Sequence, residues 1–307
     1  MPNLTTPVVS VEHAKAYRER IIAVLPEDSR FEPLMTLYLT DNTTLNEIKT
    51  AIQSKIIHAV KYYPFGSTTN SENGVTNIEN IYPLLEFMIE HDFPLLVHCE
   101  VTDPDIDIFD REAVFIDTIL VPLVKRYDRL RLVFEHVSTI EGIGFITAGA
   151  QNIAATITPH HLLLNRNNIF INGLRPHHYC LPVLKSEIHR QAILEAATSG
   201  NPKFFLGTDS APHAKCDKES ACCPAGIYSA YNAMSIYVEC FEQAGYLDRL
   251  EGFASYFGAD FYRLPRNQDT ITLEKKEWTV PESLPFGELS LVPLRAGETC
   301  QWMLAES

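Results

Sequence analysis

The ten residues 204–213, "FFLGTDSAPH", place a carboxylate directly after a short apolar run. Phe204, Phe205 and Leu206 are typical of a buried β-strand, and Asp209 follows them within three residues. A carboxylate in this position has lost much of its hydration, which is unfavourable unless a cation or hydrogen-bond donors compensate it. Asp209 is therefore a candidate functional residue, and capping of a following helix is the alternative interpretation.

Further apolar runs, rich in β-branched residues, alternate with amphipathic segments along the chain. This alternation is typical of parallel βα units. The runs cover residues 34–40, 56–64, 94–100, 130–137, 152–161 and 203–210. Helices are predicted between them, for example one that begins near Ser10 and one that ends at Gly200. A third is predicted over residues 76–91, where Thr76 and Glu79 have capping-box spacing.

Four of these runs end in a chemically active side chain: Lys61, His98, His136 and Asp209. The separations are 98 − 61 = 37, 136 − 98 = 38 and 209 − 136 = 73, the last spanning one intervening run. Near-equal spacing by one βα unit predicts an α/β fold of the (β/α)8 TIM-barrel class, whose active site lies at the carboxyl ends of the strands. Imidazoles and a carboxylate are ligands for a metal ion.

Each of the four residues also has an ordinary structural interpretation. Lys61 on its own suits the protein surface, and His98 and His136 suit core histidines hydrogen-bonded to the backbone. All four at strand ends with this spacing favour a shared metal site over four separate coincidences.

Composition narrows the class of protein. The chain has 307 residues and a net charge of −14, which argues against binding to nucleic acid or to anionic membranes. With no secretory signal or apolar run of membrane-spanning length, we expect a cytoplasmic protein with reduced thiols. Cys216, Cys222 and Cys223 lack the C-x2-C spacing of a zinc knuckle, so we interpret them as loop cysteines.

Longer motifs carry a family resemblance. The chain resembles the dihydroorotases of the amidohydrolase superfamily, of the shorter bacterial and fungal homodimeric type, over nearly its whole length. The segments that carry it include "VKYYPFGSTTNSENGV" (60–75), "PLLVHCEVTDPDIDIFDREA" (94–113), "FEHVST" (134–139), "RPHHYCLPVLK" (175–185) and "GTDSAPHAKCDKES" (207–220). The resemblance implies a TIM-barrel enzyme that interconverts L-dihydroorotate and N-carbamoyl-L-aspartate in pyrimidine biosynthesis.

The resemblance also implies a role for each matching residue. Lys61 corresponds to a carboxylated lysine, whose CO2-derived carbamate is shared by two zinc ions (Zn2+). His98 and His136 correspond to ligands of the second zinc. Asp209 corresponds to a ligand of the first zinc and to the group that passes a proton from water to the leaving ring nitrogen.

The remaining matches concern the substrate. Asn3 and His213 correspond to residues that hold the substrate carboxylate, and Thr68 and Thr69 to the tip of a mobile loop that closes over it. Three residues correspond to backbone contacts with the pyrimidine ring: Leu181, Ala211 and Ala225. A small-molecule substrate and a homodimer are the partners implied.

The family's first strand ends in H-x-H-x-R, and this sequence contains no H-x-H. The adjacent pairs His160–His161 and His177–His178 do not replace it, since neighbouring side chains on a strand point to opposite faces. We therefore expect a barrel that lacks its first strand and most of its second. Only the end of the second strand is expected to remain, near residue 3. Met1 is then either an internal methionine of a longer reading frame or the start of a catalytically impaired product.

Two regions and three functions are predicted. Residues 1–264 form the incomplete barrel domain, and residues 265–307 form a peripheral strand-rich extension. The favoured function is a zinc-dependent dihydroorotase. The alternatives are an impaired dihydroorotase-like binding protein and another cyclic-amide hydrolase such as a hydantoinase, against which "GTDSAPH" and "RPHHYCLPVLK" argue.

Overall fold

The computed structural model describes residues 2–305, so the outermost residues of the two predicted regions, 1 and 306–307, lie outside it. The chain divides into two compact units, Met1–Phe134 and Glu135–Ser307. The predicted boundary near residue 264 stays a prediction.

The first unit contains four parallel strands in chain order, each inside one of the predicted apolar runs. They are β1 (Met35–Leu39), β2 (Ile57–Tyr62), β3 (Leu95–Val97) and β4 (Leu132–Phe134). Lys61 of β2 lies opposite Tyr38 of β1 and Leu96 of β3. Most of these strand residues are buried, as expected for parallel strands that are covered on both faces.

Five α-helices connect or flank these strands: α1 (Val11–Ile22), α2 (Leu45–Ser54), α3 (Tyr82–Glu90), α4 (Arg111–Phe115) and α5 (Val121–Arg126). A π-helical turn, Ile116–Leu120, joins α4 to α5. The start of α1 is as predicted, because the Ser10 side chain accepts a hydrogen bond from the backbone N–H of His13.

The predicted cap at Thr76 is wrong. A 3-10 turn, Ile78–Ile81, precedes α3, and its N-cap is Asn77, whose side chain accepts from the N–H of Glu79. The Thr76 hydroxyl instead donates to Asp41 at 2.7 Å. The Thr76 hydroxyl is thus hydrogen-bonded to a carboxylate distant in sequence and does not cap the helix.

The predicted strand tip near residue 3 is also wrong, because residues 2–9 form no strand. The segment is nevertheless hydrogen-bonded to β1, because the Tyr38 N–H donates to the Val8 carbonyl at 2.8 Å. Within the segment, the Val8 N–H donates to the Pro2 carbonyl at 2.9 Å. Asn3 and Val8 are buried. Tertiary contacts therefore hold Asn3 in place without a strand ladder.

The second unit contains two neighbouring parallel strands, β5 (Ile153–Ile157) and β6 (Phe204–Leu206). Its helices are α6 (Ile140–Ala148), α7 (Pro159–Leu163), α8 (Glu187–Thr198), α9 (Lys215–Lys218), α10 (Ala233–Ala244) and α11 (Phe257–Tyr262). The end of α8 is as predicted, since Gly200 has φ +78°, a left-handed conformation that glycine adopts without strain. No helix within residues 2–305 is long and apolar enough to span a membrane.

Short strands dominate residues 273–304, which agrees with the strand-like pattern of this region. β7 (Leu273–Thr279) pairs antiparallel with β10 (Thr299–Leu304), and β8 (Leu284–Phe286) pairs with β9 (Leu289–Leu291). Polar contacts tie this region to α10. Glu239 accepts hydrogen bonds from Arg295 and from the Gln301 N–H, both at 2.5 Å.

The Glu239 contacts lead to a stability prediction. In Glu239→Gln, an amide NH2 replaces one carboxylate oxygen and faces a donor at a position where both ion-pair side chains are largely buried. We expect a loss of about 2–4 kcal/mol in the free energy of unfolding, measured by urea denaturation. The control is Asp260→Asn, which breaks the exposed Asp260–Arg266 pair and should cost much less stability. Equal losses in both variants would contradict this assignment.

Candidate active site

Three predicted site residues of the first unit surround the ring of Tyr63. The Lys61 Nζ lies 5.0 Å from the centroid of that ring, and the His98 ring centroid lies 6.0 Å from it. The Tyr63 hydroxyl donates a hydrogen bond to the Asn3 Oδ1 at 2.9 Å. All four residues are buried, so the structure brings Lys61, His98 and Asn3 together around one aromatic side chain.

Asn3 also contacts the predicted lid loop. Its Nδ2 donates to the Thr69 carbonyl at 2.9 Å, and the Asn70 side chain donates to the Asn3 carbonyl at 3.1 Å. The buried Ser71 hydroxyl donates to the Thr68 carbonyl at 2.6 Å and accepts from the Thr68 N–H at 2.8 Å. The predicted carboxylate-binding residue and the predicted lid are therefore neighbours.

The His98 imidazole has the hydrogen bonding of a metal ligand. Its Nε2 lies 2.9 Å from the Glu100 Oε2, and both side chains are almost fully buried. Because a carboxylate only accepts, Nε2 of the neutral ring carries the proton, and the lone pair lies on Nδ1. The other carboxylate oxygen, Oε1, is buried without a hydrogen-bond partner in residues 2–305. A carboxylate that holds the proton on Nε2 and leaves the Nδ1 lone pair for a cation is the usual support of a metal-binding histidine.

Two predicted ligands of the second unit have left-handed backbone conformations. His136 has φ +47° and Asp209 has φ +43°. For residues other than glycine this region is sparsely populated; such strain costs about 1–3 kcal/mol and is concentrated at functional sites. Both residues lie within three positions of the end of a strand, so the strain sets the direction in which their side chains leave the backbone.

Thr156 of β5 supports both of these turns. Its hydroxyl accepts a hydrogen bond from the His136 N–H at 2.7 Å. It also lies so close to Gly207 that a Cβ added there would be 2.6 Å from the Thr156 Cβ. Glycine is therefore required two residues before Asp209.

The predicted substrate-contacting residues Ala211, His213 and Ala225 form one local group. The His213 Nε2 donates to the Ala225 carbonyl at 3.1 Å, and burial lowers the pKa of this histidine. A Cβ at Gly226 would lie 2.6 Å from the Ala211 Cβ and 2.9 Å from the His213 Nε2. The absence of a side chain at Gly226 allows this close packing.

Lys218 holds the backbone around this group. Its ammonium donates to the carbonyls of Tyr179, Pro224 and Gly226 at 2.9, 2.8 and 2.9 Å. Two of these carbonyls flank Ala225, and the third lies two residues before Leu181. Burial lowers the pKa of Lys218, because the charged form loses water. Sequence alone does not indicate a role for Lys218, because a lysine inside "AKCDKES" has the pattern of an exposed segment.

The pair His160–His161 lies on a helix, which corrects the strand geometry assumed for it. Thr158 is the N-cap of α7 and Pro159 its first residue, so the strand ends before the histidines. The two rings lie 4.7 Å apart. Burial lowers the pKa of His160 well below 6.5 and that of His161 to about 3.

Among residues 2–305, one group of three or more His, Cys, Asp and Glu side chains has its ligand atoms all within 4.8 Å of one another: His160, His161 and Cys180. None of the predicted metal ligands belongs to it. Lys61 and His98 lie in the first unit, and His136 and Asp209 lie in the second. The assignment of these four residues as ligands stays a prediction.

Comparisons with known proteins identify the relatives of this chain. It is 60% identical over 306 residues to the dihydroorotase of Nitrosococcus oceani, a match that covers 100% of this chain and 89% of the relative. The crystal structure of Saccharomyces cerevisiae dihydroorotase in complex with 5-fluoroorotic acid matches with a TM-score of 0.90 and 31% identity, over 99% of this chain and 88% of that one.

A third match supports the same family. The crystal structure of Campylobacter jejuni dihydroorotase matches with a TM-score of 0.90 and 36% identity, over 100% of this chain and 87% of that one. No protein-family model matches the chain. These similarities confirm the predicted α/β TIM-barrel fold class.

The buried histidines of α7 lead to a prediction about pH. Their folded pKa values lie below the usual 6.5, so the unfolded chain binds more protons as the pH falls below 6.5. The free energy of unfolding should therefore decrease by up to about 1.4 kcal/mol per pH unit for each histidine. For His161 the loss continues towards pH 3. The loss should begin within about pH 7 to pH 5. Urea denaturation over this range should show that the free energy of unfolding falls less steeply with decreasing pH in His160→Gln than in the wild type.

The control for this prediction is Leu162→Val, a change at the next buried position of α7. It removes one methylene group and no titrating group, so it should lower stability equally at each pH. An unchanged slope in His160→Gln would contradict the prediction.

Proposed function

The chain belongs to the dihydroorotase family of cyclic amide hydrolases, and from this premise we propose which residues perform the reaction. The observation that carries the function is 60% identity to a dihydroorotase along the whole chain. The reaction is the hydrolysis of L-dihydroorotate to N-carbamoyl-L-aspartate and its reversal. The geometry of the described residues supports the individual roles that follow.

The ligands that we propose for zinc are Lys61, as its carbamate, together with His98, His136 and Asp209. The Glu100 carboxylate supports this role for His98, because it fixes the proton on Nε2. The left-handed backbone of His136 and Asp209 supports theirs. When bound, the zinc ions would activate a water molecule and polarise the ring carbonyl.

Asp209 is proposed as the group that moves the proton. In hydrolysis a C–O bond forms at the ring carbonyl carbon and the C–N bond breaks. Asp209 accepts the proton that the attacking water loses and delivers it to the departing nitrogen. In cyclisation the same carboxylate takes the proton from the carbamoyl nitrogen and returns it to the oxygen that leaves as water. The second proton of the attacking water leaves to solvent when the new carboxylic acid ionises, and in cyclisation one proton is taken up from solvent.

Asn3 and His213 are proposed to hold the substrate carboxylate, and the backbone of Leu181, Ala211 and Ala225 to contact the ring. The hydrogen bond from Tyr63 and the contact with Thr69 support the position of Asn3. The Lys218 ammonium acts as a positioning group, because it holds the carbonyls on either side of Ala225. Fixed backbone groups reduce the entropy lost when the ring binds.

Three further features complete the proposal. Thr68 and Thr69 form the tip of a loop that closes over the substrate and excludes water. The enzyme acts as a homodimer in the cytoplasm, as the family resemblance implies. Analytical ultracentrifugation tests the dimer, and a panel of dihydroorotate, hydantoin and dihydrouracil tests substrate choice.

Replacement of the proposed proton carrier should abolish most turnover. Asp209→Asn keeps the shape of the side chain but removes its basicity, and we expect cyclisation of N-carbamoyl-L-aspartate to fall by about 10²–10⁴-fold. The matched control is Asp248→Asn, an exposed aspartate of the same unit, which should retain wild-type turnover. Equal activity in both variants would contradict the assignment of Asp209.

Loss of the Lys218 ammonium should weaken substrate binding more than turnover. Lys218→Met keeps the length of the side chain but leaves three carbonyls without their common donor. We expect KM to rise by about 10-fold, the effect of one misplaced hydrogen bond, with a smaller change in kcat. Lys215→Met, on the exposed side of α9, is the control and should change neither constant. A fall in kcat with KM unchanged would contradict a positioning role.

A further inference from the structure

The three side chains His160, His161 and Cys180, called here the buried His–Cys cluster, lie in the second unit and are nearly inaccessible to solvent. Their ligand atoms all lie within 4.8 Å of one another. Tetrahedral zinc sites have Zn–N distances of about 2.0–2.1 Å and Zn–S distances of about 2.3 Å, so a contraction of roughly 1 Å brings three donors around one ion.

His160 is the least compensated member of the cluster. Its side chain is 0% exposed, and neither ring nitrogen has a hydrogen-bond partner in residues 2–305. A buried polar group without a partner is unfavourable, and native structures keep few of them. A metal ion beside one of its nitrogens would satisfy it, and burial already favours the neutral ring that a metal needs.

The hydrogen bonds of His161 prepare it to bind a metal. Its Nε2 lies 3.0 Å from the Pro182 carbonyl, which only accepts, so the proton lies on Nε2. The lone pair is then on Nδ1, where the Thr158 hydroxyl donates to it at 2.8 Å. A backbone carbonyl that fixes the proton on the distal nitrogen is the usual support of a metal-binding histidine. The metal would replace a single hydroxyl donor.

Cys180 supplies a sulfur donor within 4.8 Å of one ring nitrogen of each histidine. It is a buried thiol, and its Sγ donates to the Pro182 carbonyl at 3.2 Å. When a divalent ion binds, the S–H bond breaks, the sulfur keeps the electron pair for the metal, and the proton leaves to solvent. Affinity should therefore increase with pH.

From these four observations we propose that the buried His–Cys cluster binds one zinc-class metal ion, separately from the proposed active-site zinc. Two imidazoles and a thiolate form a donor set that favours Zn²⁺ among the common divalent ions of the cell, and it excludes Mg²⁺ and Ca²⁺, which require oxygen ligands. Bound there, the ion would link α7 to the segment that contains Cys180 and Pro182.

Cobalt substitution tests this proposal, because Co²⁺ replaces Zn²⁺ and a thiolate ligand gives a charge-transfer band in the near ultraviolet. The proposed active-site ligands contain no sulfur, so the band reports only on cysteine ligation. The full chain is freed of metal with a chelator and titrated with Co²⁺. We expect the band to saturate at one Co²⁺ per chain, to form more readily at higher pH, and to disappear when Zn²⁺ is added.

Two variants test the ligands. Cys180→Ser and His160→Gln should each lose the band, and circular dichroism should show that each variant is folded. The matched controls Cys240→Ser, a buried thiol of α10, and Cys222→Ser, an exposed thiol, should keep it. A band that survives in Cys180→Ser, or no band in the wild type, would overturn the proposal.

Failure of this proposal can be told apart from failure of the proposed function. Asp209→Asn should lose turnover but keep the band, while His160→Gln should lose the band. If Asp209→Asn keeps its turnover while the wild type shows the band, the role of Asp209 is wrong and the metal site stands. If turnover depends on Asp209 and no band forms, only the metal site is wrong.

Discussion

Polar side chains buried at the carboxyl ends of apolar parallel strands need partners, and the arrangement of the whole candidate site depends on this constraint. The parallel strands are apolar and excluded from water, so few charged side chains can be accommodated beside them. In the first unit, His98 meets the Glu100 carboxylate, and Asn3 meets the Tyr63 hydroxyl and the Thr69 carbonyl. These contacts are short-range and directional, so they fix the protonated nitrogen of His98 and the position of a residue that belongs to no strand.

The second unit meets the same constraint mainly through its backbone. Neighbouring groups restrict the backbone around His136 and Asp209 to their left-handed conformations. These groups are the Thr156 hydroxyl and Gly207, which lies close to Thr156. The Lys218 ammonium acts in a similar way on three carbonyls. Local strain at the candidate ligands is thus offset by contacts a few residues away, as expected where a side chain must take one direction.

The sequence was informative where a pattern depends on the backbone alone. Period, spacing and turn residues located all six apolar runs, and the caps at Ser10 and Gly200, because these depend on neighbours within a few residues. The sequence was misleading where a group distant in the chain competes for a hydrogen bond, or where a helix begins inside an apolar run. Asp41 takes the hydroxyl of Thr76, and a helix begins at Pro159 where a strand was extended through His160.

The sequence by itself determined the class of fold and the residue types at the strand ends, because hydrophobic period and motif spacing follow from the geometry of strands and helices. The tertiary structure alone decided which nitrogen of His98 carries its proton, where Lys218 is buried, and that His160, His161 and Cys180 meet. These features depend on atoms separated by tens of residues along the chain, and burial and hydrogen-bond partners at such distances have no signature in local sequence.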